Sequence, residues 1–213
     1  MDFTSLSFVD VTRTFGRRRA LNRVTFSAEA GTITALLGHN GAGKSTLLSI
    51  AATLLAPTSG KVLYGEHNGV SSGALRGRIG MLGHDLYLYP ELSAAENLRF
   101  FAQIYGLRDV ESRVARALAL ANLVDRGDDV VAGYSRGMRQ RLALERALIH
   151  EPRLMLLDEP FTGLDEASRE ALRERLRTAR AAGTIIILTT HDIAAIENLT
   201  DASVTLVDGR LAA

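Results

Sequence analysis

The chain has 213 residues, 46% of them apolar and 23% charged, a balance that suits one globular domain with room for a sizeable core. Its formal net charge is +1, which gives no electrostatic reason to expect nucleic acid as a partner. It contains no cysteine, so disulfides, zinc–thiolate sites and a cysteine nucleophile are excluded.

Met1-Asp2-Phe3-Thr4 lacks the basic-then-apolar pattern of a secretory leader. No apolar run approaches the ~20 residues of a membrane-spanning helix. Strands are predicted at Leu6–Val11, Val24–Ala28 and Thr32–Leu37, with Arg17-Arg18-Arg19 as a solvated loop before the second. The third strand runs into a glycine-rich loop, and a helix is expected from Lys44 to about Leu55, ended by Pro57 and Gly60. Strands follow at Lys61–Tyr64 and Arg78–Leu82. From Ser93 to about Leu123 the spacing turns helical, with Leu98, Phe101, Ala102 and Tyr105 on one face and Val114, Leu118 and Ala121 on another. A helix is predicted over Gly137–Ile149. Leu154-Met155-Leu156-Leu157 reads as a strand buried on both faces. A charged helix over Glu166–Ala182, a buried strand over Thr184–Thr190, a short helix near Ile193–Leu199 and a strand at Ala202–Val207 complete the chain. The alternation of strands and helices predicts a largely parallel sheet, and the segment of about 84–150 predicts a helical lobe inserted into an α/β core made of 1–83 and 151–213.

Gly38-His39-Asn40-Gly41-Ala42-Gly43-Lys44-Ser45 matches the phosphate-loop pattern G-x-x-x-x-G-K-[ST]. Its glycines let backbone N–H groups converge on phosphate oxygens, and the helix N-terminus behind them adds positive potential. Lys44 then reaches the β- and γ-phosphates, and the Ser45 hydroxyl helps hold Mg²⁺; His39 serves as a spacer whose backbone makes the contact. Of the 25 basic residues only Lys44 and Lys61 are lysine, so Lys44 marks a place where a compact ammonium is needed. The strand Leu154–Leu157 delivers Asp158 and Glu159 at its carboxyl end, where ligands of open α/β sheets bind. Asp158 suits a Mg²⁺ contact and Glu159 a general base for water. By itself the pair also reads as a solvated turn before Pro160. His191 ends the next buried strand and falls near the same edge.

Together with Tyr134-Ser135-Arg136-Gly137-Met138 at a helix start, these motifs resemble the ABC ATPase family, over nearly the whole chain and in the family's order. The segment keeps the Ser and second Gly of the family's Leu-Ser-Gly-Gly-Gln signature; Ser135 also reads as a plain N-cap. The resemblance implies a phosphate-loop NTPase core with ABC-type antiparallel β strands and an inserted helical lobe. It implies ATP and Mg²⁺ as cofactors, with Thr46 joining the loop residues that bind nucleotide. It implies a homodimer or ABC heterodimer in which Ser135 and Gly137 face the γ-phosphate bound by the other subunit and Asp165 crosses the interface. His191 would hydrogen-bond the γ-phosphate, and Phe15 would stack on adenine, though it reads equally as a core residue. Where the family places a Gln that senses Mg²⁺ and water, this chain has Gly83-His84. The implied partners are integral membrane permease subunits on the cytoplasmic face of the membrane. Within the family the chain is similar to the haem-exporter ATPases of cytochrome c maturation, and shares several features with multidrug- and polysaccharide-type exporter ATPases. A soluble ABC protein and another phosphate-loop enzyme compete, but there is no long heptad run and no Asn-Lys-x-Asp-like guanine motif.

Overall fold

The computed structural model describes residues 2–68 and 73–212. Strands β1 (Ser5–Phe15) and β2 (Arg18–Glu29) form a long hairpin. Strand β3 (Ile33–Leu37) leads through the glycine-rich loop into α1 (Lys44–Ala51). Next come β4 (Ser59–Tyr64), β5 (His67–Asn68), the single turn α2 (Gly73–Arg76) and β6 (Ile79–Leu82). Helices α3 (Ala94–Ile104), α4 (Val110–Leu120) and α5 (Arg136–Leu148) stand together before the chain returns in β7 (Leu154–Leu157). The remainder is α6 (Glu166–Ala181), β8 (Ile185–Thr189), β9 (Ala202–Val207) and β10 (Arg210–Leu211).

Among the described residues the strands make two sheets. One is antiparallel, in the order β2-β1-β4-β5; the other runs β10-β9-β3-β8-β7-β6 and is parallel except for β10. The parallel sheet is covered on both faces, which is why its strands are continuously apolar. Side chains alternate by the period of two: Leu154, Leu156, Ile185 and Ile187 pack with α1 and the antiparallel sheet, while Met155, Leu157, Ile186 and Leu188 pack with α5 and α6. Each fully buried Leu or Ile contributes about 1.5–3 kcal/mol. The helical lobe has its own cluster, built on Leu98, Ala102, Val114, Leu118 and Leu142.

Local chemistry sets the helix ends. Ser93 and Glu96 form a reciprocal capping box at α3. Gly106 and Asp109, both with positive φ, separate α3 from α4 and split the predicted helical stretch in two. Ser135 Oγ accepts the Met138 N–H at α5, and Asp165 Oδ1 accepts the Ser168 N–H at α6.

Four expectations are corrected. Arg18 and Arg19 belong to β2 rather than to a loop, because the hairpin turns tightly at Gly16-Arg17. The first hairpin is much longer than its apolar alternation suggested. Asp10 and Arg23 adopt φ of 50° and 53° and lie at successive register shifts, between Phe8 and Val11 and between Val11 and Arg13, which hides the alternation. Helix α1 stops at Ala51, with Thr53 left-handed and Leu54 exposed, four residues short of the expected end. The short helix expected near Ile193–Leu199 is only a single 3-10 turn at Ala194–Ile196, ended by Glu197 and a left-handed Asn198.

Candidate active site

The loop after β3 is shaped by glycine where nothing else fits. Gly38 has φ +143°, and a Cβ there would lie 2.3 Å from the Leu206 carbonyl oxygen. Gly43 has φ +107°, and its Cβ would meet the Ala20 carbonyl oxygen at 2.6 Å. Gly43 also stands at the N-cap of α1, so no side chain caps the first turn, and its N–H groups are those an anion takes. Lys44 is 7% exposed; its Nζ donates to the Gly38 and His39 carbonyls at 2.6 and 3.2 Å, folded along the loop it serves. His39 stands outside, with Nε2 at 3.4 Å from Asp208 Oδ1, in keeping with a spacer.

The parallel sheet carries the carboxylates to the same edge. Leu157 is paired with Leu82 and Leu188, so Asp158 and Glu159 emerge where the strand ends. Asp158 N–H donates to the Leu82 carbonyl at 2.7 Å. Glu159 turns the chain with a left-handed φ of 51°, an uncommon conformation for a non-glycine residue. Its Oε2 lies 2.9 Å from His191 Nδ1, and the glutamate is the more sheltered of the two. His191 is therefore brought to Glu159, as its position at the end of a strand suggested.

One open cleft of about 610 Å³ unites these groups: Asn40, Gly41, Gly43, Lys44, Ser45 and Thr46 from the loop and α1, Asp158 and Glu159 from β7, and His84 just after β6. Phe15 and Arg18, paired across the β1–β2 hairpin, wall its other side. Phe15 is 46% exposed, with the Arg13 guanidinium 4.5 Å from its ring centroid, so it is a surface aromatic and not a core residue. Magnesium held with a nucleotide takes one or two protein oxygens and otherwise phosphate and water. Ser45 and Asp158 across one cleft fit that donor set, and the described residues hold no cluster of three or more His, Asp or Glu that could bind a metal alone.

Ser135 and Gly137 are not brought to this cleft within the chain. They start α5, and Asp165 starts α6, on a neighbouring surface. The Asp165 carboxyl is held below its ordinary range by the Ser168 backbone N–H it accepts. The two helix starts meet through Arg136, whose Nε is 2.8 Å from where a Cβ of Gly163 would be, and through Gln140, whose Nε2 donates to the Pro160 carbonyl at 3.3 Å.

Two residues of the site escaped the sequence. Arg18 was lost in a run of three arginines; only the pairing with Phe15 marks it. Thr189 donates to Asp158 Oδ1 at 2.6 Å and accepts the Glu159 N–H at 2.9 Å. The one signal for it was a polar residue closing a buried apolar strand.

Comparison with known proteins agrees with this geometry. The ABC transporter family model matches residues 21–162. The chain is 37% identical, over 99% of its length and 67% of the relative's, to Nod factor export ATP-binding protein I of Rhizobium etli. It is 36% identical, over 99% and 67%, to daunorubicin resistance ATP-binding protein DrrA3 of Streptomyces coeruleorubidus, so it spans about two thirds of the length of both. A dimeric post-hydrolysis structure of an ATP-binding cassette bound to ADP and Pi superposes with a TM-score of 0.89, at 26% identity and over 98% of this chain and 97% of that one. Because the family match takes in both the phosphate loop and the Asp158–Glu159 turn, the chain belongs to the ABC transporter family as an ATP-hydrolysing subunit that works with ATP and Mg²⁺.

Proposed function

We propose that this chain powers a membrane exporter, hydrolysing ATP in a dimer of cassettes held at the cytoplasmic face by permease subunits. The observation that carries the reading is the single cleft joining Lys44 and Ser45 to Asp158 and Glu159. In this reading the loop amides and Lys44 hold the phosphates. Ser45 and Asp158 would hold Mg²⁺, which when bound would supply charge neutralisation for the phosphate oxygens. Glu159, steadied by His191, accepts a proton from the attacking water. The water oxygen bonds to the γ-phosphorus, the bond from that phosphorus to the β,γ-bridging oxygen breaks, and ADP and inorganic phosphate result. Phe15 offers an exposed ring to the adenine. His84 lines the same cleft, and its imidazole can donate or accept a hydrogen bond there. Ser135 and Gly137 would complete the site of the other cassette from the N-terminus of α5, and Asp165 would lie beside them at the interface. The division into a core of 1–83 and 151–213 and a lobe of about 84–150 fits this scheme, with the lobe presenting α5.

Among the described residues no helix is long and apolar enough to cross a membrane. Exposed Tyr89 and Phe100, packed edge to face on the lobe with 5.0 Å between ring centroids, give a permease partner an apolar contact. The relatives named for Nod factor export and daunorubicin resistance favour a multidrug- or polysaccharide-type exporter. Neither name points to haem or cytochrome c maturation, and the haem-linked reading is the weaker one.

Glu159→Gln tests the proposal. Steady-state turnover should fall about 10²- to 10⁴-fold with ATP binding retained, and the ATP-held variant should bring a permease out of detergent-solubilised membranes. Near-normal hydrolysis would remove Glu159 from its role. Recovery of soluble factors alone would remove the transport role.

A further inference from the structure

Strand β8 is Ile185-Ile186-Ile187-Leu188-Thr189, buried on both faces, and Thr189 is 0% exposed. Valine has the same shape and suits such a position at no polar cost. The hydroxyl is retained where it makes two bonds to two consecutive residues of the neighbouring strand's end. It donates to Asp158 Oδ1 at 2.6 Å and accepts the Glu159 amide N–H at 2.9 Å. The first bond fixes one oxygen of the aspartate, leaving Oδ2 for a ligand in the cleft. The second anchors the peptide of a residue with φ +51°, whose strain must be balanced by its surroundings. The adjacent hydroxyl acts only locally, since Thr190 Oγ1 accepts the Asp192 N–H at 3.0 Å and shapes its own turn.

We propose that Thr189 is a positioning residue for ATP hydrolysis, its hydroxyl fixing the Asp158 carboxylate and the Glu159 backbone relative to each other. The proposal rests on the reading of Asp158 and Glu159 given above. Without the hydroxyl the aspartate rotates away from its Mg²⁺ contact and the glutamate backbone relaxes, while the phosphate loop is untouched. The loss therefore falls on kcat and on Mg²⁺ dependence, not on binding of the nucleotide itself.

The test compares Thr189→Val, which keeps the shape, with Thr189→Ser, which keeps the hydroxyl. Thr189→Ala is a second hydroxyl-free variant should Val disturb folding. The expected result for Val or Ala is a kcat about 10- to 100-fold lower, the scale of a hydrogen bond to a charged group. The Mg²⁺ concentration for half-maximal turnover should rise, and affinity for ADP without Mg²⁺ should stay within about twofold of the parent. Ser should restore turnover to within a few-fold. Unchanged kcat and Mg²⁺ dependence in the hydroxyl-free variants would overturn the proposal. So would a Ser variant as impaired as Val, because packing alone would then explain the loss. Asp158→Asn and Glu159→Gln separate the two levels. If they stay active, the reading of the site fails; if they are inactive while Thr189→Val turns over normally, only the role of Thr189 fails.

Discussion

A methyl group on Gly43 would meet the Ala20 carbonyl oxygen at 2.6 Å and Leu21 Cδ2 at 2.8 Å, on a backbone already at φ +107°. Strand β2 thus presses directly on the phosphate loop. Gly43→Ala must either move that hairpin or distort the first turn of α1. We expect stability to fall by about 1–3 kcal/mol, the usual cost of such strain, and ADP affinity to fall at least about tenfold as the amides lose their convergence. Gly41→Ala is the comparison: its backbone is also left-handed, at φ +85°, but its Cβ would meet only the flexible Arg18 side chain, at 3.5 Å, so the two variants differ by the clash with β2. Denaturant unfolding and equilibrium ADP binding measure both, and Gly43→Ala binding ADP as tightly as the parent would contradict the account. Gly43 was legible in the sequence because the loop is contiguous and the spacing of its residues carries its geometry. Arg18 and Thr189 were not, because each enters the site from another strand. Phe15 lay between: the ring was visible, but whether it faced core or solvent depended on a hairpin register that two left-handed residues had shifted.

Helix α5 couples the lobe to the core through charge that its sequence does not advertise. Glu145 accepts a two-pronged bond from Arg175 of α6 at 3.0 and 3.2 Å. Arg146 donates to the Met81 carbonyl of β6 at 2.6 Å and lies between the rings of Tyr87 and Phe101. Just past the helix, buried His150 stacks on Tyr105 with 3.9 Å between centroids and an Nε2 3.1 Å from the Ile79 carbonyl oxygen. Periodicity found this helix to within a residue at each end, yet nothing in a string of arginines and a glutamate says which of them a second helix will cover. The final helix differs for the opposite reason: its few apolar residues hold one 3-10 turn, with Asp192 Oδ1 accepting the Ala195 N–H at 3.2 Å, but lack the length to extend it. Burial, with the Arg146 and Arg78 charges adding to it, pushes the His150 pKa from 6.5 down to about 4, against the pull of the Ile79 carbonyl. The unfolded chain therefore binds more protons between those values. The stabilisation is complete above about pH 6.5 and is lost as pH falls toward about 4, amounting to ~2 kcal/mol by pH 5. His150→Phe keeps the ring stack and removes the titration. Urea unfolding at pH 7 and pH 5 should show the parent losing about that much more than the variant; equal losses would mean that His150 does not titrate in this way.

At the scale of the whole molecule, the proposed dimer would make this cleft half of a shared site. Its phosphate loop and carboxylates are contiguous, while Ser135 and Gly137 open onto another surface of the same chain. In the proposed two-fold dimer each copy would give its α5 start to the cleft of the other, satisfying both surfaces at once. That geometry makes a quantitative prediction. Lys44→Ala disables a copy's own cleft, and Gly137→Asp puts a carboxylate where the partner's γ-phosphate would sit; each variant alone should be nearly inactive. When equal amounts are mixed and allowed to exchange, half of the dimers pair one of each. In those, the intact cleft of one copy meets the intact helix start of the other, and the second site is doubly damaged. Turnover should recover to at most about one quarter of the parent value, since one site in four is whole. A steady-state ATPase assay of the mixture against each variant alone reads this directly. Recovery identifies sites built from two chains. If each variant alone hydrolyses at the parent rate, the helix start has no part in catalysis; if neither does and the mixture stays silent, the two surfaces do not meet in a shared site.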